Sequence, residues 1–104
     1  MYTLIFYVPS KNLEDVTQAV FSSGAGRVGL YQDCYWYTKG VGSFKPCMGA
    51  EPAVGQVGQA EQVEECRVEM QISEKLLDSV IAALKLAHPY EQPVYWVIQP
   101  VMSS

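Results

Sequence analysis

Three groups of residues in this chain are of types and spacings that could do chemistry. In His88-Pro89-Tyr90-Glu91 an imidazole and a carboxylate lie three positions apart, a pair that can hold a divalent metal or act as acid and base. The same residues also suit a plain helix stop and turn, with His88 donating to the last helical carbonyls. In VEECRVE, residues 63–69, Arg67 sits among Glu64, Glu65 and Glu69. Its guanidinium could grip a carboxylate or phosphate ligand, or close an ion pair between strands or subunits. In GVGSFKP, residues 40–46, Gly40 and Gly42 would let backbone N–H groups approach an anion. That run lacks the Lys-Ser/Thr ending of a phosphate loop and no helix follows it. It fits equally an arm or hairpin that needs positive φ and packs Phe44 onto a neighbouring subunit. Cys34, His88 and Glu91 would make a soft metal site if neighbouring chains brought them together. Cys47 has no adjacent group to activate it, and the serines sit at caps, in loops or on a helix, so no Ser-His-Asp arrangement can be drawn.

Composition narrows the classes these groups could serve. With 104 residues, 49% hydrophobic and 17% charged, the chain is expected to form a single domain over residues 1–104 with its own core. A net charge of -4 and seven scattered basic residues argue against a nucleic-acid partner, which needs a clustered basic face. No apolar run approaches the roughly 18 residues of a membrane span. The apolar start MYTLIFYVPS lacks a basic leader and reads as a strand. Three cysteines without CxxC spacing indicate a reduced, cytoplasmic protein.

The elements that must position these residues follow from periodicity. Residues 2–8, YTLIFYV, form a continuous β-favouring run that suits a central strand, ended by Pro9. Leu13, Val16 and Val20 keep helical spacing after a cap at Ser10 or Asn12, and Gly24 and Gly26 stop that helix. Residues 31–39 predict a second strand, and residues 63–72 a third, with Cys66, Val68, Met70 and Ile72 alternating against Glu65, Arg67, Glu69 and Gln71. Ser73 is positioned to cap a second helix whose stripe runs Leu76, Leu77, Val80, Ile81, Leu84, His88 until Pro89. Residues 93–101 predict the last strand, and the tail 102–104 is expected to fray.

The order β-α-β-β-α-β predicts an α+β ferredoxin-like sandwich: an antiparallel sheet, two helices on one face, and a long loop between the second and third strands. That loop is residues 40–61, which hold five of the eight glycines and two of the six prolines. The uncovered face is expected to carry Tyr35, Tyr37, Glu65, Arg67 and Glu69. Exposed aromatics of that kind mark an interface, so Tyr35, Tyr37, Phe44 and Glu69 are candidate oligomer contacts. Gly40, Gly42, Phe44, Arg67, His88 and Glu91 are the candidate ligand-binding residues.

Four segments in order resemble the domain inserted in the Ngg-interacting-factor-like family, whose members carry the label type-2 GTP cyclohydrolase I. They are G-x-G-x-F-x-P at Gly40 to Pro46, G-x-x-P-x-x-G at Gly49, Pro52 and Gly55, V-E-E-x-R-x-E at Val63 to Glu69, and H-P-Y-E-x-P at His88 to Pro93. FSSGAGRVGLYQDC, residues 21–34, belongs to the same resemblance, which spans nearly the whole chain. The resemblance implies a CutA/PII-like domain, here expected to stand alone without the di-metal catalytic domain, since a single histidine cannot furnish a histidine-rich di-metal site. It further implies a homotrimer that acts as a non-enzymatic ligand-binding, assembly or regulatory module, with the long loop contacting a protein partner or an inter-subunit cleft. Two alternatives stay open: a divalent-metal-binding protein of CutA type, and an enzyme with an inter-subunit site.

Overall fold

The computed structural model describes residues 1–99. Four strands and two helices follow in the expected order: β1 (Tyr2–Pro9), α1 (Leu13–Ser22), β2 (Trp36–Phe44), β3 (Glu61–Ile72), α2 (Leu77–Ala87) and β4 (Tyr95–Ile98). The sheet is antiparallel in the order β2-β3-β1-β4, so β1 and β3 are central. Residues 100 and 101 of the expected last strand, and the tail 102–104, lie outside the described residues.

Strict alternation in β1 and β3 builds the core. Leu4, Phe6 and Val8 pair with Met70, Val68 and Cys66 and turn to the same side of the sheet. Val16, Val20 and Phe21 of α1 and Val80 and Leu84 of α2 close over them in one buried cluster. Both helices therefore cover one face, in the α+β ferredoxin-like arrangement expected of the sequence. Leu76, Leu77 and Ile81 pack around the rim of that cluster, as the α2 stripe requires. Pro89 forces His88 into an extended conformation, ψ 137°, and α2 ends there.

The caps differ from expectation. Single 3-10 turns at Ser10–Asn12 and Glu74–Leu76 precede α1 and α2. They carry the chain past Ser10 and Ser73 before the first α turn forms, so neither hydroxyl nor Asn12 makes a capping bond. Acidic side chains, Glu14 and Asp15 in α1 and Asp78 in α2, lie in the first turns and complement the helix dipoles.

The second strand is displaced by five residues toward the C-terminus. It was expected over residues 31–39 and runs over Trp36–Phe44. Asp33 adopts φ 57°, which an extended strand cannot accommodate. The stretch before it is folded into a small excursion pinned by Val28 and Tyr31 and by the Cys34 N–H bond to the Gly26 carbonyl, 2.8 Å. Gly40 and Gly42 thus lie inside an edge strand and neither has positive φ. The irregular segment shrinks to residues 45–60.

Register then corrects the open face. Trp36, Thr38, Gly40, Gly42 and Phe44 pair with Glu69, Arg67, Glu65, Val63 and Glu61 and share their side of the sheet. Tyr37 pairs with Val68 and so faces the helices. Tyr35 stacks on Tyr37 at 5.6 Å and meets Phe21 of α1 edge-on at 5.3 Å. Neither tyrosine belongs to the uncovered face. The exposed aromatics there are Trp36 and Trp96, each 57% exposed. They cap the two ends of one row that crosses all four strands, Trp36-Glu69-Ile5-Trp96.

Gly26 ties this architecture together, with φ 80° and its N–H donated to the Gln71 carbonyl at 2.7 Å. A Cβ there would meet the Phe21 ring and the Cys34 carbonyl at about 3.0 Å. Gly26→Ala is expected to lower the unfolding free energy by about 1–3 kcal/mol, measured by urea titration. A loss under a few tenths of a kcal/mol would contradict the described backbone.

Candidate functional site

The candidate site is a cleft of about 270 Å³ between the segment 45–60 and the turn that follows α2. Phe44, at the end of β2, and Tyr90, in the turn, form its aromatic corner with ring centroids 5.9 Å apart. Pro46, Pro52, Val54 and Val94 supply apolar walls, and Glu65 and Glu91 supply carboxylates.

Both carboxylates at this corner are held by an identifiable donor. The Tyr90 hydroxyl donates to Glu65 Oε2 at 3.1 Å. Burial, with the Glu65 carboxylate beside it, pushes the Tyr90 phenol up to about 12, so it stays a neutral donor. Glu65 projects from β3 onto the open face and lies across Gly42 of the neighbouring strand. A Cβ at Gly42 would run into the Glu65 carboxylate. Gly42 therefore makes room for a side chain; it does not supply an unusual backbone turn. Glu91 Oε1 accepts the Glu51 N–H at 3.2 Å and joins the turn to the long segment. The Gly58 N–H closes that segment on the Pro46 carbonyl at 2.8 Å. The segment is thus folded back on the domain as a roof.

His88 stands behind the cleft. It is buried, and both ring nitrogens are engaged. Nδ1 accepts the Tyr90 N–H at 3.0 Å, so it carries no proton; Nε2–H then donates to the Tyr7 carbonyl at 2.6 Å. The expected bond to the last α2 carbonyls is not made, because the extended backbone at His88 swings the ring toward β1. Burial lowers its pKa from 6.5, against the pull of the Tyr7 carbonyl and the Glu65 carboxylate in the other direction.

Of the residues singled out in the sequence, Phe44 and Glu91 line the cleft and Gly42 accommodates a lining residue. Gly40 pairs with Glu65 on the same face. Arg67 is turned to other partners: its Nε donates to Glu69 Oε2 at 3.2 Å, and its guanidinium lies 6.0 Å from the centre of the Tyr7 ring. Cys34 lies in the excursion before β2, bonded to Gly26 through its N–H. Among the described residues, no three His, Cys, Asp or Glu side chains gather closely enough within one chain to hold a metal ion. Sequence reasoning passed over Tyr90 as a donor and Glu65 as its acceptor. The signal that could have found them is the pairing of a bulky acid on β3 with a glycine on its neighbour, which needs the register to be seen.

The fold is ferredoxin-like, as it is in proteins of the CutA/PII type. CutA1 from Pyrococcus horikoshii OT3 superposes with a TM-score of 0.70 at 15% identity, covering 100% of this chain and 87% of that one. The PII-like protein CutA from Nostoc sp. PCC 7120 superposes with a TM-score of 0.67 at 16% identity, covering 96% and 81%. In sequence the chain is homologous to a segment of the proteins named GTP cyclohydrolase 1 type 2 homolog. It is 45% identical over 91 residues to that of Mycobacterium tuberculosis and 41% identical over 92 residues to that of Bacillus subtilis, with 88% of this chain covered in each. A segment of a Bacillus cereus protein related to NIF3 superposes with a TM-score of 0.79 at 37% identity, covering 93% of this chain and 24% of that one. The chain spans about a quarter of the length of these relatives, 24% and 25% of the two homologues. No family model matches it.

The bonding of His88 has a consequence for pH. The unfolded chain takes up a proton near 6.5, before the folded protein does. Stability is therefore complete above that value and declines as pH falls from it toward the lower folded value. Urea midpoints at about pH 7.5 and about pH 5.5 are expected to differ in that direction, and His88→Gln should flatten the difference. An identical slope in the variant would place the titrating group elsewhere.

Proposed function

We propose that this chain is a self-assembling, ligand-binding module with no catalytic role of its own, and that it works as a homotrimer. The observation that carries the reading is the uncovered face, where the row Trp36-Glu69-Ile5-Trp96 leaves two tryptophans exposed and the cleft opens at the sheet's end. A face of this kind is stabilised by burial against another copy. The CutA-type fold supports a trimer, with Phe44 and Glu69 as contacts on that face, and the roofing segment as the part that meets a ligand or a protein partner. Binding is favoured over catalysis by the state of Tyr90, in the cleft, and His88, behind it. Tyr90 is neutral well beyond neutral pH, and His88 has both nitrogens committed to backbone groups. The same commitment weighs against the metal-binding alternative, because His88 would have to give up a structural bond to become a ligand.

Native mass spectrometry of the purified chain is expected to show a trimer, and Trp36→Ser with Trp96→Ser is expected to shift it to monomer. A wild-type monomer at micromolar concentration would overturn the assembly reading. Because Pro46 and Gly58 are already bonded, replacing residues 47–57 by a short Gly-Ser turn should leave a folded protein. That variant is expected to lose any ligand or partner seen with the full chain.

A further inference from the structure

The cleft's lining has a definite sign. Among the described residues, it holds the carboxylates of Glu65 and Glu91 and no Lys, Arg or His. Each carboxylate is oriented by one donor, the Tyr90 hydroxyl for Glu65 and the Glu51 N–H for Glu91. An ionised carboxylate can accept about four hydrogen bonds, so both keep capacity toward the cleft. Neither is neutralised: among the described residues the one ion pair is Arg67 with Glu69, outside the cleft. Phosphates and other anions would meet these two charges without a compensating cation.

The remaining surface is apolar and aromatic. Phe44 and Tyr90 both line the cleft, tilted at 60° to one another. Aromatic faces attract a cation, and carboxylates give it charge-assisted hydrogen bonds. Pro46, Pro52 and Val54 provide the matching surface for a hydrocarbon body. A volume of about 270 Å³ suits a small ligand.

Building on the reading that this cleft binds a ligand, we propose that it selects a small organic ammonium, a protonated amine carried on an apolar or aromatic body. Glu65 is the residue that confers this selection. It is set in place on one side by the missing Cβ of Gly42 and on the other by the Tyr90 hydroxyl. Glu91 adds a second carboxylate to the lining and ties the roof to the turn.

Three probes of similar shape separate the possibilities: benzylammonium, benzyl alcohol and phenylacetate, each titrated into the full chain and followed by amide chemical-shift changes. Benzylammonium is expected to shift the amides of Phe44, Glu65 and Tyr90 saturably, and the other two are expected to bind at least tenfold more weakly. Equal binding of the alcohol, or tighter binding of phenylacetate, would overturn the charge selection while leaving a ligand cleft. Failure of all three to perturb these amides up to their solubility limits would overturn both the selection and the cleft as a small-molecule site. Glu65→Gln keeps an acceptor for Tyr90 and removes the charge. It is expected to weaken benzylammonium about tenfold and leave benzyl alcohol unchanged. Undiminished ammonium binding by a folded Glu65→Gln protein would refute the role of Glu65.

Discussion

The imidazole of His88 is the interaction on which the cleft end of this molecule depends. It is one neutral ring between two backbone groups: the Tyr7 carbonyl of the central strand and the Tyr90 N–H of the turn after α2. Each bond specifies the protonation state that the other needs. If Nδ1 carried a proton, Tyr90 would lose its acceptor; if Nε2 lost its proton, Tyr7 would lose its donor. Burial favours the neutral form and so favours both bonds at once. Through this ring the edge of a cleft is referenced to the most buried strand of the sheet, and Tyr90 and Glu91 inherit that rigidity.

This arrangement explains why a long glycine- and proline-rich segment is compatible with a small domain. Loop backbone must find partners or water. Here the segment bonds to itself at Pro46 and Gly58 and to the turn through Glu51 and Glu91. Its small residues, Ala50 and Ala53 among them, bring the chain close to the cleft without filling it. The segment is a wall, and the turn held by His88 is the surface it leans on.

Much of the architecture was legible because its signals are local. The alternation of Cys66, Val68, Met70 and Ile72, the α2 stripe and the Pro89 stop each depend on a few neighbouring residues, and each appears where periodicity puts it. What escaped depends on register and on turns. The left-handed Asp33 moves the second strand to Trp36–Phe44, and that shift exchanges Tyr37 for Trp36 on the open face. A shift of odd length in strand register moves every side chain to the opposite face. The caps failed for a related reason: a 3-10 turn costs no distinctive residue type, so Ser10 and Ser73 look like caps in sequence while standing two and three residues before the N-cap positions, Asn12 and Leu76. In the site, Phe44, Gly42 and Glu91 were visible as motif positions, whereas the Tyr90–Glu65 bond spans 25 residues and is fixed only by the pairing of three strands.

The four motif segments that lie between residues 40 and 93 are scattered in sequence, yet they meet at this one corner. Gly42 and Phe44 come from the first, Ala50 and Pro52 from the second, Glu65 from the third, and His88, Tyr90 and Glu91 from the fourth. Their contacts are mutually dependent. Gly42 leaves space that Glu65 occupies; Glu65 accepts a hydrogen bond from the Tyr90 phenol, whose backbone N–H is held by His88; Glu91, in the same turn, holds the roof. A larger residue at position 42 would displace the carboxylate and strand the Tyr90 hydroxyl, so the choice at one strand edge constrains the choice in a turn nearly fifty positions away. Residues coupled in this way behave as one unit under substitution, and their effects on binding should not add. Most of the open sheet face lacks such coupling: Trp36 and Trp96 stand at opposite ends of their row and touch solvent over more than half their surface. The physical distinction between the two regions is therefore that the side chains of the cleft hold one another in place, while the two tryptophans at the ends of the sheet row stand open to solvent.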